Sequence, residues 1–175
     1  MRRSPGLFSL IFVVLFSLAA PWAARGGGPG FTVKEERGAK APGFTLKDLS
    51  GADKGPGDYK GKVVILHFWA SWCEPCKREF PDLGRLQTSL KDKGLVVLAV
   101  SEDSRKRVAP FVERHGSAFP VLIDQYGAVM RSYGIRLIPV SVIIDREGRV
   151  RSRITGETDY AGEEAFRYFE GILYE

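Results

Sequence analysis

Cysteine is nearly absent from this chain: there are two in 175 residues, Cys73 and Cys76, separated by Glu74 and Pro75. A scaffold stapled by several disulfides is therefore excluded. One thiol pair also supplies only half of a tetrahedral zinc site, whose remaining ligands would have to come from His67, His115 or carboxylates. Neither cysteine lies near the amino terminus, which excludes a lipid-modified leader. Asparagine is missing altogether, a bias that a hot habitat or a skewed genome would each produce and from which no function follows. Charge of one sign is also in short supply. The formal +5 falls to about +2 when the three arginines Arg2, Arg3 and Arg25 are set aside with the amino-terminal segment, and the remainder is interspersed, so no nucleic-acid partner is expected. There is no internal repeat, and low complexity is confined to Gly26-Gly27-Gly28-Pro29-Gly30.

The amino-terminal segment combines two cations, Arg2 and Arg3, with a largely apolar stretch over residues 7–20 that has no polar stripe. Residues 1–24 are read as a signal peptide or an uncleaved membrane anchor. A cut after Ala24 would put Trp22 where a small residue is wanted, and a cut after Ala20 is followed by Pro21. Cations at the start hold that end in the cytoplasm, so the rest is expected outside the inner membrane. Residues 25–38 read as a flexible linker and 39–175 as one domain, for which 44% hydrophobic residues suffice.

Within that domain strand and helix signals alternate. Residues 43–47 are a short strand candidate, and Gly55-Pro56-Gly57 supplies turns. Val63–Trp69 is almost continuously apolar, as in a central strand covered on both faces. Residues 74–93 have helical spacing through Phe80, Leu83, Leu86 and Leu90. Then come a buried strand over 95–100, an amphipathic helix over 104–115, a strand over 119–123 and a short helix over 126–133. A hairpin over 140–144 and 149–154 and a helix over 161–174 close the chain. This order predicts an α/β fold, a mixed central sheet with helices on both faces.

The chemistry lies in Trp72-Cys73-Glu74-Pro75-Cys76. A vicinal pair at the start of a helix can close and reopen a small disulfide ring with little backbone motion, and the first helical N–H groups favour an exposed thiolate. Cys73, at the helix start, is assigned the attacking role; Cys76, one turn further in and more buried, resolves the mixed disulfide. Pro75 fixes the backbone between them. Trp69 fills the core, and Trp72 shields the sulfurs and is the candidate for substrate contact. Glu79 lies three residues after Cys76, close enough on a helix to move the proton that accompanies the exchange, although a solvated surface glutamate would give the same sequence.

Phe68-Trp69-Ala70-Ser71-Trp72-Cys73-Glu74-Pro75-Cys76-Lys77 resembles the active-site segment of the thioredoxin superfamily, and Tyr133-Gly134-Ile135-Arg136-Leu137-Ile138-Pro139 resembles its cis-proline loop. Ala41-Pro42-Gly43-Phe44-Thr45-Leu46 and Lys77-Arg78-Glu79-Phe80-Pro81 narrow the likeness to the TlpA/ResA-like branch of exported thiol:disulfide oxidoreductases, over residues 40–170. The resemblance implies a thioredoxin-like fold with an N-terminal extension and a helix-strand insertion over residues 104–124. It implies a cis Pro139 that offers the backbone of Ile138 to the substrate, and a proton-transfer or substrate-contact role for Glu79. His67 departs from thioredoxin, which has a buried acid there. It could act as a base, or be a satisfied core histidine. Ala70 stands where peroxiredoxins need a threonine, which argues against a peroxidase.

Electron flow is expected to favour reduction. Glu74 places negative charge beside the thiolate, and a less stable thiolate makes a better reductant. The resemblance points the same way, to a reductase of exported disulfides such as those of apocytochrome c in cytochrome c maturation or of copper-site proteins, supplied by a DsbD/CcdA-type membrane donor. No metal or other cofactor is implied. An exported oxidase or general oxidoreductase is the alternative enzyme, and a tethered non-catalytic adaptor is the alternative outside enzymes.

Overall fold

The computed structural model describes residues 30–36 and 38–175. The expected signal or anchor, residues 1–24, lies outside them, as do residues 25–29 of the expected linker. Among the described residues no helix is long and apolar enough to cross a membrane.

The elements run β1 (Lys34–Glu35), β2 (Leu46–Lys47), β3 (Asp53–Lys54), β4 (Val63–Trp69), α1 (Glu74–Leu90), β5 (Leu95–Ser101), α2 (Arg105–His115), β6 (Val121–Ile123), α3 (Ala128–Ser132), β7 (Val140–Ile144), β8 (Val150–Thr155) and α4 (Glu163–Leu173). Six strands form one mixed sheet in the order β1-β8-β7-β4-β5-β6, and β2 and β3 pair separately. β4, β5 and β6 are parallel, because α1 and α2 supply the crossovers that parallel neighbours require. β7 and β8 return antiparallel as a hairpin. This is the thioredoxin-like architecture, with α2 and β6 as the inserted pair extending the sheet beyond β5.

Every residue of β4 and β5 is buried, which accounts for their unbroken apolar sequence. Alternate residues of β4 serve two cores. Val63, Ile65 and Trp69 pack with Phe80, Leu83, Leu86 and Leu90 of α1 and with Phe169 and Ile172 of α4. Val64, Leu66 and Phe68 pack on the other face with Val129 and Met130 of α3 and with Tyr133. Enclosing a large apolar side chain contributes roughly 1.5–3 kcal/mol, so α1 is fixed to the sheet along its whole length. Its amino-terminal end is thereby fixed too, and that end carries the cysteines. Trp69 and Phe80, with ring centroids 4.8 Å apart, tie the last residue of β4 to the second turn of α1.

Two expectations are corrected. The sheet reaches into residues 25–38, read as linker: Lys34 and Glu35 pair with Arg153 and Ser152 of β8, and Arg153 Nε bonds Glu36 at 2.6 Å. A two-residue polar strand has no alternation to read, and its partner lies more than a hundred residues away. The strand expected over 119–123 begins at Val121, because Ser117 Oγ bonds both the N–H and the carbonyl of Phe119 and Pro120 has no N–H for a ladder.

Candidate active site

Cys73 is the N-cap of α1, with extended backbone (φ −82°, ψ 103°), and its Sγ accepts from the Cys76 N–H at 3.3 Å. The two cysteines form a disulfide. Their environments differ: Cys73 keeps 5% of its surface exposed and Cys76 none. The helix N-terminus therefore directs free N–H groups at the outer sulfur, the arrangement that favours a thiolate there once the bond opens. Trp72, immediately before, is 58% exposed. Pro75 occupies the first turn of α1, where a missing N–H costs nothing.

Two neighbouring strands position this loop. The parallel register sets Trp69 opposite Ser101, so the chains leaving β4 and β5 run side by side. Asp103 Oδ2 accepts from the Ser71 N–H at 2.7 Å and from the Ser71 hydroxyl at 2.8 Å. On the other side Val140 of β7 lies opposite Phe68. That register brings Pro139 to the end of β4 from which the cysteine loop departs. The Ile138–Pro139 bond is cis. Pro139 is buried, Ile138 is half-buried against both cores, and Leu137 is exposed.

Glu79 does not lie on the solvated face of α1, the alternative its sequence allowed. It is 2% exposed, and its Oε1 accepts from the Thr158 N–H at 2.7 Å in the loop after β8. The same loop is held to α1 by Glu157, which receives both Nε and a terminal nitrogen of Arg78 at 2.6 Å. Burial pushes the Glu79 carboxyl up to about 8, against the Thr158 N–H, which favours ionisation. His67 is wholly enclosed. Its Nδ1 lies 3.0 Å from Ser141 Oγ, which also accepts from the Tyr160 hydroxyl at 2.6 Å. Burial pushes its imidazole down to about 3. Nε2 faces Glu79 Oε2 at 3.7 Å, and neither atom has a hydrogen-bond partner. Burial thus disfavours the charged form of both His67 and Glu79.

Glu74 contributes less free charge than its sequence suggests. Lys77 Nζ bonds its carboxylate at 2.7 Å and holds it below the usual carboxylate range, so the negative charge beside Cys73 is paired with a positive one. His115 stacks on Phe111 at the end of α2, with centroids 4.6 Å apart. Among the described residues no cluster of three or more histidine, cysteine or acidic side chains could hold a metal ion.

Of the residues named from the sequence, the structure places Trp72, Cys73, Pro75, Cys76 and Glu79 in the loop and helix that follow β4, Ile138 and Pro139 just before the neighbouring β7, and His67 within β4 in the core. The sequence reading missed Asp103, Ser141, Thr158 and Tyr160. The signal for Asp103 was the parallel register itself, because Ser71 and Asp103 each follow a paired residue by two positions.

A redox-active pair capping the first helix after the central strand of a thioredoxin-like sheet, beside a cis-proline, defines a thiol:disulfide oxidoreductase. The chain belongs to the AhpC/TSA family, whose model matches residues 37–153. It is 35% identical to the thiol-disulfide oxidoreductase ResA of Bacillus cereus over 158 residues, 90% of this chain and 91% of that protein. With ResA of Geobacillus thermodenitrificans identity reaches 41% over 120 residues, 68% of this chain and 69% of the relative. Among solved structures, a candidate thiol:disulfide interchange protein DsbE from Chlorobium tepidum aligns with a TM-score of 0.74 at 34% identity, covering 80% of this chain and 99% of that one. StoA from Bacillus subtilis aligns with a TM-score of 0.64 at 27% identity, covering 75% and 99%. Thiol-disulfide exchange is therefore the activity of this protein. Ala70, three residues before Cys73, has no hydroxyl to offer, which argues against peroxide chemistry at this pair.

Proposed function

We propose that this protein is an extracytoplasmic reductase of disulfides in exported proteins, working in cytochrome c maturation. The observation that carries the reading is the asymmetry of the pair: an outer sulfur on Cys73 at the helix N-terminus and a fully enclosed one on Cys76. The Cys73 thiolate attacks a target disulfide. The target chain lies against the Ile138 backbone and Pro139, with Trp72 supplying apolar contact and Pro75 holding the ring geometry. Cys76 then attacks Cys73, releasing the target as a thiol. Glu79 takes the proton that the Cys76 thiol must lose and returns it when a donor reopens the disulfide.

The direction rests on the core. The enclosure that disfavours charge on Glu79 also disfavours it on the fully enclosed Cys76 sulfur one turn away, and so works against a thiolate there and towards a low potential. This support replaces the argument from Glu74, which Lys77 neutralises. The location rests on Arg2, Arg3 and the apolar residues 7–20, which would export the chain or anchor it, with the glycine-rich residues 25–30 as the tether. Electrons would come from a DsbD/CcdA-type membrane carrier, with apocytochrome c or copper-site proteins as acceptors. The test is the potential of the Cys73–Cys76 couple, measured by equilibration with a thiol buffer. A value of roughly −250 mV or lower is expected, near that of thioredoxin; roughly −120 mV would assign the oxidase instead.

A further inference from the structure

His67, Glu79, Ser141 and Tyr160 are four polar side chains brought together in an otherwise apolar core. They come from β4, α1, β7 and the loop before α4, so only the tertiary fold unites them. Tyr160 gives its one proton to Ser141 Oγ, and Ser141 in turn meets His67 Nδ1. The far nitrogen of the imidazole is left facing Glu79 Oε2, and neither atom has another partner. Buried polar atoms without partners are rare in folded proteins, and these two face one another at 3.7 Å.

We propose that Tyr160, Ser141 and His67 are positioning residues for Glu79: they hold an imidazole nitrogen against Oε2 that can accept from the protonated carboxyl group or donate to the ionised one. The proposal rests on the reading of Glu79 as proton carrier, and adds how the core accommodates both of its states.

Proton accounting allows the two arrangements. A serine hydroxyl both donates and accepts. When Ser141 donates to Nδ1, the imidazole proton lies on Nε2 and is available to a Glu79 carboxylate. When Nδ1 donates to Ser141, the Nε2 lone pair is available to a Glu79 carboxylic acid. In the resolving step the Cys76 thiol gives its proton to the Glu79 carboxylate. The resulting Cys76 thiolate attacks Cys73 Sγ in the mixed disulfide, and the electron pair of the broken bond leaves on the target sulfur. With the imidazole proton still on Nε2, the new proton rests on Oε1 and Oε2 goes on accepting from Nε2–H; where the imidazole proton lies on Nδ1 instead, Oε2 can carry the proton and give it to the Nε2 lone pair. An apolar side chain at position 67 would leave Oε2 without a donor in an enclosed site, with only the Thr158 N–H on Oε1, and would disfavour ionisation.

Other groups also act on Glu79. The Thr158 N–H and Arg78 favour its ionised form, and Glu157 and Asp82 oppose it. Tyr160 is itself disfavoured as a phenolate by burial and by Glu79, and so stays a donor. His67 is flanked in the sheet by Ala99 on β5 and Ser141 on β7, so Glu79 is the one carboxyl group it meets as an ion-pair partner among the described residues.

The test follows the Glu79 carboxyl group directly, by isotope-edited infrared or carbon NMR titration of the reduced full-length protein. Ser141→Ala should move the Glu79 titration to higher pH by less than about one unit, and His67→Leu should move it further. His67→Asn, which retains one N–H donor, should restore part of the shift. An unchanged titration in Ser141→Ala, a variant that removes a single oxygen, would overturn the relay whether or not His67→Leu folds. The carrier reading fails separately, if Glu79→Gln leaves the pH profile of thiol exchange as it was. The titration of Glu79 in Ser141→Ala would still decide whether the relay exists.

Discussion

Asp103 Oδ2 receives two hydrogen bonds from one residue, Ser71, through its N–H at 2.7 Å and its hydroxyl at 2.8 Å. Asp103 is buried at the end of β5, and Ser71 lies two residues before the outer cysteine. A carboxylate so placed ties the cysteine loop to the rigid edge of the sheet. Asp103→Ala should lower stability by about 2 kcal/mol, since it removes charge-assisted bonds and leaves a part-buried N–H without its acceptor. Urea unfolding of the oxidised protein reads that loss. Turnover with a model disulfide should fall as well, because the outer sulfur loses its fixed position.

Replacing Cys76 by serine should leave Cys73 able to attack and unable to be released. Targets should then accumulate as mixed disulfides that a reductant reverses. Recovery of such adducts from the cell envelope, separated by non-reducing electrophoresis, identifies the physiological substrate. Their complete absence would move the reading to the non-catalytic adaptor.

The buried pair gives stability a specific pH dependence. Glu79 has its folded value raised from 4.5 to about 8, so between those limits the folded state binds the extra proton and stability falls as pH rises. His67 has its folded value lowered from 6.5 to about 3, so over that range the unfolded state binds the extra proton and stability rises with pH. The two slopes oppose one another between 4.5 and 6.5 and should give a plateau there. Each limb outside it should slope by at most about 1.4 kcal/mol per pH unit. Glu79→Gln should abolish the alkaline limb and leave the acid one, as read from denaturant midpoints across pH.

Trp72 offers most of its ring to solvent at the mouth of the site, so Trp72→Ala should change stability by less than about 0.5 kcal/mol. The rate of mixed-disulfide formation with a protein target should nevertheless drop. Equal rates for variant and parent, with a peptide and with a folded target, would remove Trp72 from the contact surface.

Lys77→Met should expose the charge of Glu74 to the Cys73 thiolate. The potential should become more negative, by less than a tenfold change in the equilibrium constant because both charges are at the surface. Raising the salt concentration should shrink the difference.

What could be read from the chain alone follows from the range of each interaction. Val63–Trp69 was legible to the residue, because burial on both faces writes itself into consecutive apolar side chains. Cys73 and Cys76 were legible because their chemistry needs only three residues of spacing. Pro139 required a family likeness, since nothing local distinguishes it from a proline at the start of any strand. The burial of Glu79 was not legible: α1 shows charged residues on both sides of it, and the N–H that donates to it belongs to Thr158, in a loop seventy-nine residues away. Likewise His67 could be called core or base, since the hydroxyls that fix its ring come from Ser141 and, through it, Tyr160.

The enclosure of one sulfur and not the other has a kinetic consequence. With Cys76 sealed and Cys73 alone at the surface, electron donor and electron acceptor must use the same port, and each excludes the other while it is bound. The protein is thereby confined to a ping-pong cycle, in which it visits two partners in turn and carries between them one pair of electrons.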